Sequence, residues 1–215
     1  MGRAPELERS RVLVLATRNP HKVRELSDLL SEIGIAVLSS RDFPDLPDVE
    51  EDGRTLEENA IKKAVSVADA TGLPSLADDT GLEVEALDGA PGVVSARYAG
   101  PDATYEDNNR KLLSALAGVP LARRRASFRC VVALAVPGEP IRTVEGRTEG
   151  VVLEEPRGQG GFGYDPVFLP DGRARTYAEM SASEKNTASH RGKAVRSAAK
   201  LVREALRGGR AQAPE

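Results

Sequence analysis

The stretch VLVLATRNPHKVRELSDLL, residues 12–30, most constrains how this chain can fold. Its first part, 12–17, is a short apolar run that reads as a buried strand. Its second part is periodic. Val23, Leu26, Leu29, Leu30 and Ile33 fall on one helix face, and Gly34 can end that helix. At the junction, Asn19 is a good N-cap and Pro20 suits the first helical position. A strand that turns directly into an amphipathic helix needs further elements on which to bury both. The rest of the chain offers them. IAVL predicts a second strand, and Thr55 with Glu58 gives a capping-box pattern that opens a helix through EENAIKKAVSVADA to about Gly72. LPSLA and LEVEAL read as two short extended pieces on either side of DDTG. YEDNNRKLLSALAG predicts another helix. ASFRCVVALAV and IRTVEGRTEGVV predict antiparallel strands joined at PGEP. A C-terminal helix, SHRGKAVRSAAKLVREALR, places Ala194, Ala198, Leu201, Val202 and Ala205 on one stripe. Helices mixed with both kinds of strand connection predict an α/β fold with a mixed sheet.

The 215 residues suffice for one domain, or one domain in two lobes. We expect an extension over 1–10, a single domain over 11–207 and a loose tail over 208–215. The 30 basic residues do not outnumber the 33 acidic ones, which argues against a partner that is a nucleic acid polymer. Local basic groups can still hold one small anion. The single cysteine, Cys130, lies in an apolar run and reads as a small buried hydrophobe. It cannot form a disulfide within the chain, so a cytoplasmic location fits. The opening MGRAPELERS carries no apolar stretch, which predicts no signal peptide. No apolar run approaches the ~20 residues that span a bilayer, so no membrane partner is expected.

Four loops carry candidate chemistry. At the first, Asn19 and Lys22 put donors beside a helix N-terminus, which attracts phosphate, and Thr17 adds a hydroxyl. An ordinary capped helix with solvated basic residues is the alternative; the glycines of a Walker A loop are missing. At the second, Asp78 and Asp79 sit between apolar runs, where charge needs a partner. Neighbours in an extended chain point to opposite sides. One aspartate is therefore expected to face a site, as an oxygen ligand suited to Mg²⁺, and the other to hold a turn. The third is DVEEDG, where Glu50 or Glu51 can complete a carboxylate pair; by itself the stretch reads as a solvated acidic loop, and Lys63 as a surface lysine. The fourth is GGFGYDP followed by SEKNTASHRGKA. Its glycines allow close backbone approach, Phe162 and Tyr164 offer faces for stacking, Asp165 accepts, and Lys185, His190 and Arg191 donate. Two core aromatics, and a His190 that merely starts a helix capped by Ser189, are the alternatives.

Taken together and in this order, the pieces resemble the inosine triphosphate pyrophosphatase family. The matching stretches are Thr17, Asn19 and Lys22 in T-x-N-x-x-K, then ENAIKKA, ADDTGL, GAPGVVSARYAG, GGFGYDPVF and EKNTASHRGKA. They span the chain from Val12 to the final helix, and the sequence looks bacterial in type. The resemblance implies an elongated two-lobed α/β fold with a central mixed sheet flanked by helices, an active-site cleft between the lobes, and a homodimer. It implies Mg²⁺-dependent hydrolysis of XTP, ITP and dITP to the monophosphate and pyrophosphate. Thr17, Asn19 and Lys22 would hold the triphosphate, with Lys63 facing the same substrate. Asp79 would be the catalytic carboxylate, as proton acceptor or metal ligand, with Thr80 touching the substrate beside it. Alignment of the acidic loop favours Glu50 as the second metal ligand. Phe162, Gly163, Tyr164 and Asp165 would build the base pocket, closed by Lys185, His190 and Arg191.

Two positions depart from the family pattern. Arg18 stands where TGN is usual, and Thr80 replaces the serine of DDSG while keeping its hydroxyl. A pyrophosphatase with another base preference, such as pyrimidines, and a non-catalytic nucleotide-binding module are the rival readings. The intact ADDTGL beside phosphate and base loops argues against the second.

Overall fold

The computed structural model describes residues 12–32, 34–46 and 48–208. The expectations for the 1–10 extension, for Ile33 and for the tail beyond Gly208 lie outside the described residues. Along the chain run β1 (Val12–Leu15), α1 (Pro20–Ser31), β2 (Ala36–Ser39), α2 (Leu56–Thr71), β3 (Ser75–Val84), α3 (Tyr105–Ala115), β4 (Arg125–Ala135), β5 (Arg142–Val152), β6 (Phe168–Pro170), α4 (Ala182–Ala188) and α5 (His190–Gly208). The six strands form one sheet in the order β2-β1-β3-β4-β5-β6. β1 pairs parallel with β2 and β3, whereas β5 and β6 are antiparallel, so the sheet is mixed.

The chain divides into two compact units. The first comprises everything up to Asp79, Val131–Val144 and everything from Ala194 on; the second comprises Thr80–Cys130 and Glu145–Lys193. In the first unit, β1 is buried along its whole length, because it lies between β2 and β3. That is why it reads as an unbroken apolar run. Asn19 caps α1, accepting from the His21 and Lys22 amides, and Pro20 follows as its first residue. α2 starts at Thr55, whose hydroxyl accepts from the Glu58 amide, and ends on Gly72 in the left-handed region. The capping box is displaced by one residue: Glu58 reaches back to the Arg54 amide. α5 buries Ala194, Ala198, Val202 and Ala205, while Leu201 is only half-buried.

The second unit packs around Leu82, Val84, Leu112, Phe128, Val152, Phe168 and Tyr177. β3 corrects the expected pair of extended pieces around a turn. It is one strand of ten residues, SLADDTGLEV. Local propensity of D-D-T-G favours a turn, but β1 and β4 flank β3 and distant lysines pair with its aspartates. Tertiary pairing decides. α4 lies in a stretch read as loop, although Ser181 and Glu184 form a complete capping box at its start. Cys130 is buried on β4.

Candidate active site

The polar cluster of the first unit grows from three elements. The turn after β1 is fixed by its own side chains: Thr17 Oγ1 accepts from the Asn19 amide at 3.2 Å, and Asn19 Oδ1 accepts from the His21 and Lys22 amides. Lys22 then reaches β3. Its Nζ lies 3.1 Å from Asp78 Oδ2 and 3.4 Å from the Asp78 carbonyl. Lys22 is not the solvated basic residue of the alternative reading: its side chain is 16% exposed and pairs with a fully buried carboxylate. Asp78 likewise holds no turn, since it sits within β3 and takes its partner from α1.

Asp79 belongs to a second set of partners. Lys63 Nζ donates to Asp79 Oδ1 at 3.0 Å and to the Asp78 carbonyl at 2.8 Å, and lies 3.3 Å from Glu51 Oε1. These three acceptors match the three donors of an ammonium group. Lys63 is thus an interior residue, not a surface lysine. Asn59 Nδ2 donates to Asp79 Oδ2 at 3.2 Å, and Asn59 Oδ1 accepts from the Gly53 amide at 2.8 Å. A Cβ at Gly53 would come within 2.5 Å of that Oδ1, so only glycine permits the contact. Sequence reasoning missed Asn59. The signal was available: Asn59 and Lys63 are four residues apart on α2, on the face that buries Leu56, Ala60, Ala64 and Val67. Two polar side chains on an apolar helix face need a buried partner.

The acidic loop contributes Glu51, whereas Glu50 is exposed. Glu51 and Asp79 titrate differently. Burial lifts the Asp79 carboxyl above its ordinary value; Lys63 and Lys22 pull it back, and the Glu51 charge lifts it further. Burial also raises Glu51, but Lys63 and Lys22 together outweigh it and hold Glu51 below its ordinary value. Among the described residues no three His, Cys, Asp or Glu side chains form a metal-holding group. What the cluster offers is two adjacent carboxylates.

The second unit holds a different cluster. Asp165 Oδ2 accepts from the Phe162 amide at 2.7 Å and from Lys185 Nζ at 2.5 Å. Lys185 Nζ lies 4.7 Å from the Phe162 ring centroid, and the Arg191 guanidinium 5.4 Å from it. Arg191 also donates to Thr80 Oγ1 at 3.2 Å. Asp165, Lys185 and Arg191 are all buried, and Phe162 is half-buried. Gly161, with φ of 70°, leaves the room that Asp165 fills; a Cβ there would collide with its carboxylate. The Gly163 carbonyl accepts from Asn109 Nδ2 at 2.8 Å.

Two aromatic readings change. Tyr164 is turned into the apolar core, where its hydroxyl donates to the Ser95 carbonyl at 2.9 Å and burial pushes its pKa well up. It does not present its face beside Phe162 as a second stacking wall. His190 stacks on Phe128 at 4.4 Å, inside an aromatic group with Tyr177, and begins α5 after Ser189, whose hydroxyl accepts from the Gly192 amide.

Residues 13–201 match the model of the Ham1 family. The chain belongs to the Ham1 family. The Ham1 match extends to curated relatives. A dITP/XTP pyrophosphatase of Geobacter sulfurreducens is 55% identical over 183 residues, 85% of this chain and 92% of that one. The dITP/XTP pyrophosphatase of Streptomyces coelicolor is 47% identical over 196 residues, 90% of this chain and 98% of that one. A solved Ham1 protein from Coxiella burnetii superposes with a TM-score of 0.81 at 44% identity, covering 90% of this chain and 98% of that one. No helix among the described residues is long and apolar enough to cross a membrane.

Proposed function

We infer that this protein hydrolyses XTP, ITP and dITP to the nucleoside monophosphate and pyrophosphate. The observation that carries this reading is Asp79. It is a buried carboxylate oriented by Asn59 and Lys63, raised by burial, and adjacent to a second carboxylate that stays ionised. Two carboxylates whose surroundings push them apart suit two roles. Asp79 is the proton acceptor for the attacking water, and Lys22 and Lys63 offset charge on the triphosphate, with Thr17 and Asn19 at its turn. The all-oxygen pair of Glu51 and Asp79 fits Mg²⁺, which is commonly held by one or two carboxylates with substrate phosphates completing the shell. Bound there, the cation neutralises phosphate charge. Glu51 takes the place expected for Glu50. Accordingly, Glu51→Gln raises the Mg²⁺ concentration for half-maximal activity, and Glu50→Gln leaves it unchanged. The opposite pattern in a Mg²⁺ titration would restore Glu50.

The base falls to the second cluster. Phe162 supplies the ring face, Gly163 a backbone able to approach it, and Lys185 and Arg191 donors to an oxygen at purine position 6. Asp165 accepts from the neighbouring ring N–H. Adenine reverses that donor–acceptor pair, so ATP is disfavoured. His190 supports this group from within the aromatic cluster. The working form is a homodimer in the cytoplasm, as the family resemblance and the lone buried cysteine suggest. Sedimentation at twice the chain mass tests the dimer. Purified protein with Mg²⁺ and XTP, ITP, dITP or ATP tests the activity, with pyrophosphate release as the readout. Release of single phosphate, or a preference for ATP, would overturn the reading.

A further inference from the structure

We propose that Arg18 is a positioning residue that latches the acidic loop to the turn after β1, and so fixes where Glu51 stands. The turn lacks the glycine usual in the family pattern, and its extra side chain turns to the acidic loop. Arg18 Nη2 donates to the Leu46 carbonyl at 2.5 Å, and its Nε lies 3.3 Å from Asp48 Oδ1. The Arg18 carbonyl in turn accepts from Arg41 Nε at 3.0 Å. Leu46, whose carbonyl is gripped, is itself a buried anchor.

The far end of the same loop is tied to α2. Asp52 pairs with Lys62 at 2.6 Å, and the Gly53 amide donates to Asn59. Glu51 lies between the two attachments, 3.3 Å from Lys63. Arg18 thus adds a side-chain tie at the near end, where Leu46 is buried, as Lys62 and Asn59 do at the far end. The planar guanidinium suits this task because it donates to a peptide carbonyl and a carboxylate at once, which an ammonium on a flexible stem does poorly.

The test begins with hydrogen exchange on metal-free, nucleotide-free protein. Arg18→Ala should speed exchange between Phe43 and Gly53 by about tenfold, the worth of one charge-assisted hydrogen bond. Exchange within α2 should not change. Arg18→Lys, which keeps the charge, should speed exchange nearly as much. In pyrophosphate release from XTP, Arg18→Ala should raise the half-activating Mg²⁺ concentration several-fold and leave kcat at saturating Mg²⁺ unchanged. That second arm rests on the pyrophosphatase reading and on Glu51 as ligand; the exchange arm uses neither substrate nor metal and stands alone. Unchanged exchange in Arg18→Ala overturns the latch. So does full protection in Arg18→Lys, which would reduce the effect to charge. A loss of kcat at saturating Mg²⁺ without faster exchange also overturns it, and would make Arg18 a phosphate contact.

Discussion

The two polar clusters differ in which charged side chains are the more numerous. In the first unit three carboxylates, Glu51, Asp78 and Asp79, face two ammonium groups, Lys22 and Lys63. In the second, one carboxylate, Asp165, is matched by Lys185, with Arg191 as a second cation against the same Phe162 ring. Buried charge is costly unless compensated, and each cluster sets charges of opposite sign in contact. The cations of the second also lie against an aromatic face. The means of rigidity differ as well. The first cluster is held by hydrogen bonds from α2 to β3, the second by a carboxylate seated where Gly161 leaves space.

This contrast is most easily broken at Asp79. Asp79→Asn should lower kcat about 100- to 10,000-fold, the span of general acid–base catalysis, without loss of the fold. The sign of its stability effect follows from the raised carboxyl. Stability linked to such a group is fully present below its unfolded value and is lost as pH rises through the folded one. The wild type therefore bears this cost at neutral pH and the variant does not. Thermal melts should show the variant gaining on wild type from pH 4 to pH 7; a variant that loses ground would show that the attraction of Lys63 outweighs the cost of burial.

Lys22→Ala comes next, and it acts on stability as well as on substrate. It leaves Asp78, which is wholly buried, without the Lys22 ammonium. Breaking a buried pair from one side costs about 3–5 kcal/mol, readable in denaturant melts. A change within about 0.5 kcal/mol, ordinary for surface positions, would mean that Asp78 is compensated elsewhere. In the second cluster, Arg191→Ala should narrow the ITP/ATP ratio of kcat/KM by roughly tenfold or more, as a buried polar mismatch does. An unchanged ratio would remove Arg191 from base selection. The smallest effect is expected at Tyr164→Phe. Loss of the bond to Ser95 should cost about 1–2 kcal/mol while the ITP/ATP ratio holds; a shifted ratio would return Tyr164 to the base pocket.

The helices of the first unit were legible because their ends are written locally, in Asn19-Pro20, Thr55 and Gly72. β3 was not, because D-D-T-G is a turn by local preference and a strand only by virtue of partners far along the chain: Lys63 is 15 residues away from Asp78, and Lys22 is 56. The same distance hid the interior character of Lys22 and Lys63. Phe162 and Tyr164 could not be sorted, since an irregular loop offers no period to tell a face that meets ligand from one that meets core. Glu50 and Glu51 pose the same problem one residue apart. For Asn59 the information was present, in its helical spacing from Lys63, and needed only the question of what a buried amide would bond.

β3 has one more consequence. It is aligned to β1 by two pairs, Val14 with Ser75 and Leu15 with Leu76, and successive side chains on a strand face opposite ways. A slip of one residue would send Asp78 and Asp79 to each other's side and separate both from their lysines. Such a molecule could retain its helices and much of its sheet, and would look folded by far-ultraviolet dichroism while being inert. The alignment of two neighbouring strands is thus a quality-control point for this protein, and turnover per mole of folded chain is the assay that would detect its failure.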